Sequence, residues 1–199
     1  MFRSFKALAV AATLALTPIA APALTPDEAE ALAQDVISEA INLAESDVPL
    51  AEKIDAFEGM MQSYADLNAI GRYALGVAWR SASQPQQQAY LDAFTDYLAR
   101  KYGQQFRRFD GQTVNVIDAF DAGQRGIVVR SEVIDANEPE PIRVEWQFSD
   151  RSGQARLIDI IVEGISLLST ERQEIGARLD AVGGDIDRLI ADLRRAENS

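Results

Sequence analysis

Acid-base chemistry in this chain would have to run on carboxylates and phenols. The 199 residues include no Cys and no His, which removes the thiolate nucleophile, the usual general base near neutral pH and the commonest metal ligand together. Ser-His-Asp triads, HExxH zinc sites, Cys-based metal sites and disulfides are thereby excluded. What remains is a carboxylate such as Asp159 set beside Tyr73 or Tyr102, able to move protons where burial raises the carboxyl pKa. The competing reading of these polar residues is structural: Asp66 as a helix cap, Arg80 as a surface or capping charge, Asp159 with Glu163 as a pair on the outer side of a sheet or a loop anchor. The sequence assigns no catalytic residue, no metal ligand and no cofactor.

The charge balance narrows the partners. Nineteen basic and 31 acidic residues give a net charge of -12, which repels phosphate backbones and anionic lipid surfaces. Nucleic acid is not an expected partner. With 47% hydrophobic and 25% charged residues, the composition is that of a globular chain of one domain.

The first segment reads as an export signal. Arg3 and Lys6 precede an apolar run from Ala7 to Leu16, and Ala21-Pro22-Ala23 supplies small residues for a signal peptidase. Residues 1–23 are expected to be the signal peptide and residues 24–199 a single domain, exported and monomeric. A run of about ten apolar residues is too short for a hydrocarbon core of roughly 30 Å, and no later segment is longer, so stable membrane insertion is not expected.

Helices must come first in the exported part. Thr25-Pro26-Asp27-Glu28 forms a capping box ahead of Ala29, Leu32, Ala33, Val36, Ile37, Ala40, Ile41 and Ala44 at helical spacing. A second stripe of Leu50, Ile54, Phe57, Met61 and Tyr64 follows Pro49. Asp66 is placed to cap a helix from Leu67 to Arg80 whose apolar residues cover nearly its whole circumference, so it is expected to be enclosed. Gly71 and Gly76 inside it point to a close approach by a neighbouring element. Beyond Ser83, a further helix carrying Leu91, Phe94, Leu98, Tyr102 and Phe106 is expected to end near Arg108.

After Asp110-Gly111 the hydrophobic period switches from 3.6 to 2. Four strands are predicted, around Val114 and Val116, then Ile127, Val129 and Val133, then Ile142, Val144, Trp146 and Phe148, then Ile158, Ile160 and Val162. Their links, such as Asp150-Arg151-Ser152-Gly153 and Asn137-Glu138-Pro139, are short and turn-rich, so neighbours should be antiparallel. Leu157 and Ile161 fall on the other side of the fourth strand, which is therefore expected to be covered on both faces. Thr170-Glu171-Arg172-Gln173 is a candidate capping box for a helix through Leu179, and Ile186, Leu189, Ile190 and Leu193 form a last apolar face after Gly183-Gly184. The pattern is α+β: a curved antiparallel sheet of about four strands, enclosed by helices around an apolar interior.

Two blocks carry a resemblance. The run from Tyr64 through Asp66, Ile70, Arg72, Tyr73, Leu75, Gly76, Trp79 and Arg80, followed by Gln87, Phe94 and Tyr102, is similar to the MlaC family, also called toluene-tolerance proteins. So is the block Leu157-Ile158-Asp159-Ile160-Ile161-Val162-Glu163-Gly164-Ile165-Ser166-Leu167-Leu168, with Arg172 after it. The resemblance runs in order from about Thr25 to Leu193. Ile175 stands where many members have Phe, and Glu171 where an aromatic often precedes the Arg.

The resemblance implies a nuclear-transport-factor-like (NTF2-like) fold with a deep pocket, a periplasmic location and a role as the phospholipid-binding auxiliary of an ABC transport system. Such a shuttle carries phospholipid between an outer-membrane lipoprotein-porin complex and an inner-membrane ABC transporter complex, maintaining outer-membrane lipid asymmetry. A related branch handles hopanoids. The lipid-binding lining expected on this basis comprises Val114, Val116, Ile127, Val129, Val144, Trp146, Phe148, Ile158, Ile160 and Val162 from the strands. The helices would add Ile70, Tyr73, Leu75, Phe94, Leu98 and Tyr102. Ile165, Leu167 and Leu168, where strand hands over to helix, are expected at the rim. Val129→Trp and Ile160→Trp are both expected to fill the pocket.

Overall fold

The computed structural model describes residues 23–109, 111–137 and 139–195. The expected export signal, apart from Ala23, lies outside the described residues, as do Asp110 and Glu138 of two turn signals.

Thr25 Oγ1 accepts from the Glu28 N–H at 3.3 Å, and Glu28 Oε2 accepts from the Thr25 N–H at 2.9 Å. This reciprocal cap, with Pro26 in the first turn, opens α1 (Pro26–Glu45), whose Ala29, Ala33, Val36, Ile37 and Ala44 form one buried face. α2 (Leu50–Tyr64) follows Pro49. Asp66 then caps α3 (Leu67–Leu75), its carboxylate accepting from the Ala69 N–H at 2.9 Å.

The expected continuous helix from Leu67 to Arg80 does not form. Gly76 takes φ 64° and ψ -131°, ending α3, and Gly76–Arg80 is a separate 3-10 turn. The positive φ calls for glycine there, and a Cβ would also lie 2.8 Å from the tip of the Arg172 side chain, which would have to shift. Nor is this segment enclosed all round: Tyr73 is 45% exposed and Val77 80%. Gly71 does mark a close approach, since a Cβ there would come within 2.5 Å of Leu91 on the next helix. That helix, α4 (Gln84–Gly103), is capped by Ser83 and continues as a 3-10 turn, Gln104–Arg108.

The sheet is an open antiparallel meander of β1 (Thr113–Asp121), β2 (Ile127–Ile134), β3 (Ile142–Ser149), β4 (Arg156–Val162) and β5 (Ile165–Ser166), in that spatial order. Four strands match the period-2 segments; the two-residue β5 is too short to leave a periodic signal. The pairing register puts Val116, Ala119, Val129, Ser131, Val144, Trp146, Phe148 and Ile160 on one face. Two bulges interrupt it, at Ile117 in β1 and at Ile158 in β4. The second corrects the strict alternation read from sequence. Ile158 is the extra residue, so Leu157 pairs with Phe148 and shares the face of Ile160, instead of lying opposite with Ile161.

α5 (Leu167–Ala181) also starts earlier than expected. Its cap is Ser166, whose Oγ accepts from the Ser169 N–H at 3.0 Å, while Thr170 lies inside the first turn with its hydroxyl donating to the Ser166 carbonyl. α6 (Ile186–Arg195) buries Ile186, Leu189, Ile190 and Leu193.

Apolar side chains pack as two bodies. One is helical, built from Leu75, Tyr90, Phe94, Leu98, Ile175, Leu189 and their neighbours on α3, α4, α5 and α6. The other joins α1 to the sheet through Ala29, Ala33, Ile127, Val129, Phe148 and Leu157. α1 lies on β1 and β2, and α2 lies on α4. Between the two bodies is a space.

Candidate functional site: an apolar cavity between two cores

The space has a volume of about 220 Å³. Its helical side is formed by Phe57, Met60, Met61 and Tyr64 of α2, Ile70 of α3, and Leu98 and Tyr102 of α4; its sheet side by Trp146, Leu157, Ile158 and Ile160. Leu167, Leu168 and Glu171 of α5, Val36 and Ala40 of α1 and Asp159 of β4 also line it. A second space of about 350 Å³ lies alongside, lined by Ile37, Phe106, Val114 and Val133, and the two share Ala40 and Trp146.

Six of the residues named from sequence meet at the first wall: Ile70, Leu98, Tyr102, Trp146, Ile158 and Ile160. Val114 lies with Trp146 on the second space. The others are elsewhere. Leu75 and Phe94 are packed in the helical core, and Ile127, Val129 and Phe148 in the sheet core, with Val116 against it. Tyr73 is on the surface, and Val144 and Val162 are on neither wall. The reason is positional: a period of 2 identifies the face of a strand but not which stretch of it a helix covers. Here α1 fills the region over β1 and β2, leaving the opening over β3 and β4.

The α2 contribution coincides with the sequence stripe through Phe57, Met61 and Tyr64, which marks a buried face without showing what buries it. Leu167 and Leu168 reach the wall as expected of the rim, whereas Ile165 is 64% exposed.

Asp159 explains how that rim is held. Its Oδ1 accepts from the Leu168 N–H at 2.9 Å and its Oδ2 from the Ser166 hydroxyl at 2.6 Å. The carboxylate therefore ties β4 to the first turn of α5 and sets Leu167 and Leu168 against the cavity. It is a loop anchor. Glu163 is separate from it, pairing instead with Arg143 at 2.9 Å across the β3–β4 ladder from a backbone with φ 48°. Neither Tyr73 nor Tyr102 partners Asp159; the Tyr102 hydroxyl donates to Glu171 at 2.6 Å. The α2–α3 link is pinned on the opposite side, where the Asp66 N–H donates to the Leu157 carbonyl at 2.9 Å.

A polar cluster adjoins this apolar wall. Glu171 is only 2% exposed, yet it accepts from Lys101 Nζ and from the Tyr102 hydroxyl, each at 2.6 Å. Lys101 also bonds Glu174, which accepts from the Tyr97 hydroxyl at 2.6 Å and from Arg178 at 3.3 Å. Arg178 continues to Asp192 of α6 at 2.9 Å. Burial works against the charge on Lys101, but its bonds to Glu171 and Glu174 outweigh this and hold its pKa above the ordinary value. Partial burial likewise opposes ionisation of Glu174, and the bonds from Lys101, Tyr97 and Arg178 win, keeping its carboxyl below the usual range. Burial, reinforced by the bond to Glu174, pushes the Tyr97 phenol up to about 12.

Helices over one face of an open meander, with hydrocarbon walls around a space between two packed bodies, define an α+β protein built about an apolar binding cavity. The chain belongs to the MlaC family: the family model described as MlaC protein matches residues 30–195. It is 24% identical over 136 residues to the intermembrane phospholipid transport system binding protein MlaC of Haemophilus influenzae. That match covers 67% of this chain and 63% of the relative, so it spans less than two thirds of the relative's length. Among solved structures, it resembles a phospholipid-binding protein from Ralstonia solanacearum determined in complex with a phospholipid, with a TM-score of 0.70 and 22% identity. There the overlap is 85% of this chain and 96% of the other, which establishes the shared fold. No helix among the described residues is long and apolar enough to cross a membrane.

Proposed function

We propose that this protein is a periplasmic phospholipid carrier, exported by a cleaved signal peptide and acting as a monomer, that binds lipid without chemical turnover. It passes its cargo between an outer-membrane lipoprotein-porin complex and an inner-membrane ABC transporter complex. The observation that carries the reading is the wall itself: seven separate elements, α1 to α5 with β3 and β4, deliver hydrocarbon to one space, and side chains of both cores stop short of filling it.

Two acyl chains expose roughly 30 methylenes at about 0.8 kcal/mol each, on the order of 24 kcal/mol in water, so a carrier must cover them. Pockets that hold drug-sized ligands run from about 300 to 1,000 Å³. The first space, at about 220 Å³, is below that range, and the second, at about 350 Å³, is near its lower end. Two tails therefore call on both spaces, on either side of Trp146. Ile70, Leu98, Tyr102, Ile158 and Ile160 contact the tails in this arrangement, and a polar headgroup stays at the opening, where it keeps its water.

Native mass spectrometry of the protein as purified from periplasm tests this directly. Phospholipid adducts are expected, released on organic extraction and diminished in Ile160→Trp and Met61→Trp, which fill the space from opposite walls. Protein that carries no lipid, and takes none from phospholipid vesicles, would overturn the proposal.

A further inference from the structure

The two spaces differ in how they meet solvent. None of the residues lining the first is exposed, whereas Gln105 and Arg108 on the wall of the second are. The second space is therefore the outer one, and Trp146, shared by both walls, marks the way inward. Its rim is built by the 3-10 turn Gln104–Arg108. Phe106 and Phe109, three residues apart, share one side of that turn and line the space, and the Phe106 ring packs edge-on against Phe57 of α2 at 5.4 Å. Arg108, between them in sequence, is on the same wall.

Arg108 is the one charged residue lining the second space, and the first has no basic residue on its wall. It forms no ion pair with a carboxylate among the described residues. Neighbouring charges are committed elsewhere: Lys53 Nζ donates to the Ala44 carbonyl at the end of α1, and Asp135 accepts from the Gln112 amide and the Asn137 N–H, each at 2.8 Å. With a net charge of -12, the chain as a whole repels an anionic lipid, so a cation at the mouth acts against that field where it matters. A guanidinium fork matches two oxygens of one phosphate, and this one stands at the lip of hydrocarbon walls, where the polar end of an amphiphile must stay. We propose that Arg108 holds the phosphate of the lipid headgroup, so that the lipid lies with its glycerol end at the Gln104–Arg108 turn and its tails running inward past Trp146. The proposal rests on the carrier reading and deepens it. Because Arg108 is exposed, the phosphate keeps part of its water and salt weakens the contact.

The test uses delipidated mature protein, titrated calorimetrically with dioctanoylphosphatidylglycerol and with dioctanoylglycerol, which has the same tails and no phosphate. In about 20 mM salt the phospholipid is expected to bind roughly 5-fold more tightly, an advantage that shrinks in about 0.5 M salt. Arg108→Gln is expected to remove the advantage while dioctanoylglycerol binds as before. Arg107→Gln, one residue back and off the wall, is expected to retain it. Equal affinity of the wild-type protein for the two lipids, or an equal loss in Arg107→Gln, overturns the proposal and leaves the carrier reading standing; the first comparison decides even if a variant does not fold. Inorganic phosphate alone is expected to give no heat of binding. Phosphate binding that Arg108→Gln abolishes would assign the site to the free ion and overturn the headgroup assignment. Failure of both lipids to bind overturns the carrier reading and the proposal together.

Discussion

The indole N–H of Trp146 donates to Ser131 Oγ at 2.8 Å, across from β3 to β2 on the face that looks into the cavity. The ring that separates the two spaces is thus fixed by a single hydroxyl, itself 2% exposed and bonded to the Val144 carbonyl at 3.3 Å. Ser131→Ala leaves the donor of the part-buried indole unpaired. The expected loss is about 1–3 kcal/mol, read as a lower urea midpoint, and in a Trp79→Phe background the remaining Trp146 emission should shift as the ring loses its tether. An unchanged midpoint and spectrum would show that the bond does not position the ring.

Val129→Trp and Ile160→Trp look equivalent in the sequence, as alternate residues of two apolar strands. The structure separates them. Val129 is fully buried in the sheet core, so the larger ring must displace packed neighbours, costing about 1–3 kcal/mol or more. Ile160 borders the cavity and has room. Thermal unfolding is expected to drop for the first and change little for the second, while bound lipid falls in the second.

The cluster around Lys101 sets the pH limits. Glu174 has a folded pKa below its ordinary 4.5, so the stability it contributes is present above that value and is lost as pH falls through the lower folded pKa. Tyr97, raised from 10 to about 12, acts at the other end: its contribution is complete below pH 10 and disappears as pH rises toward 12, and Lys101 runs in the same direction. Glu174→Gln should flatten the acid limb of a Tm against pH curve and lower Tm at neutral pH. An acid limb identical to wild type would remove Glu174 from this role.

Two neighbouring glycines should respond differently to alanine. Gly123 and Gly126 both have positive φ, 64° and 83°. A Cβ at Gly123 meets nothing within 4 Å, whereas at Gly126 it falls 2.1 Å from the Phe148 carbonyl oxygen. Gly123→Ala should cost about 1–2 kcal/mol from the backbone alone. Gly126→Ala must also push apart β2 and β3, and its loss of stability in denaturant titration should be clearly larger.

Elements with a strong local cause were legible in the sequence: the Thr25 cap, the Asp66 cap, the α6 face and four alternating strands. The failures have common physics. Gly76 ends a helix by taking φ 64°, a conformation that the apolar pattern around it does not display. Ile158 is left out of the ladder because Leu157 and Asp159 pair with neighbouring residues of β3, which no single strand displays. The cavity was half legible for the same reason: Ile160 and Trp146 face inward by alternation, but that Val129 is packed and Ile160 is not depends on where α1 lies. Glu171 was visible as a departure from the pattern of similar sequences, while its neighbours Lys101 and Tyr102 come from a helix some 70 positions earlier.

Because the hydrocarbon is gathered into two bodies instead of one, widening the gap between them disturbs few of the contacts that hold either together. What spans the gap is polar and local: the Asp159 carboxylate to Ser166 and Leu168 on one side, and the Asp66 N–H to the Leu157 carbonyl on the other.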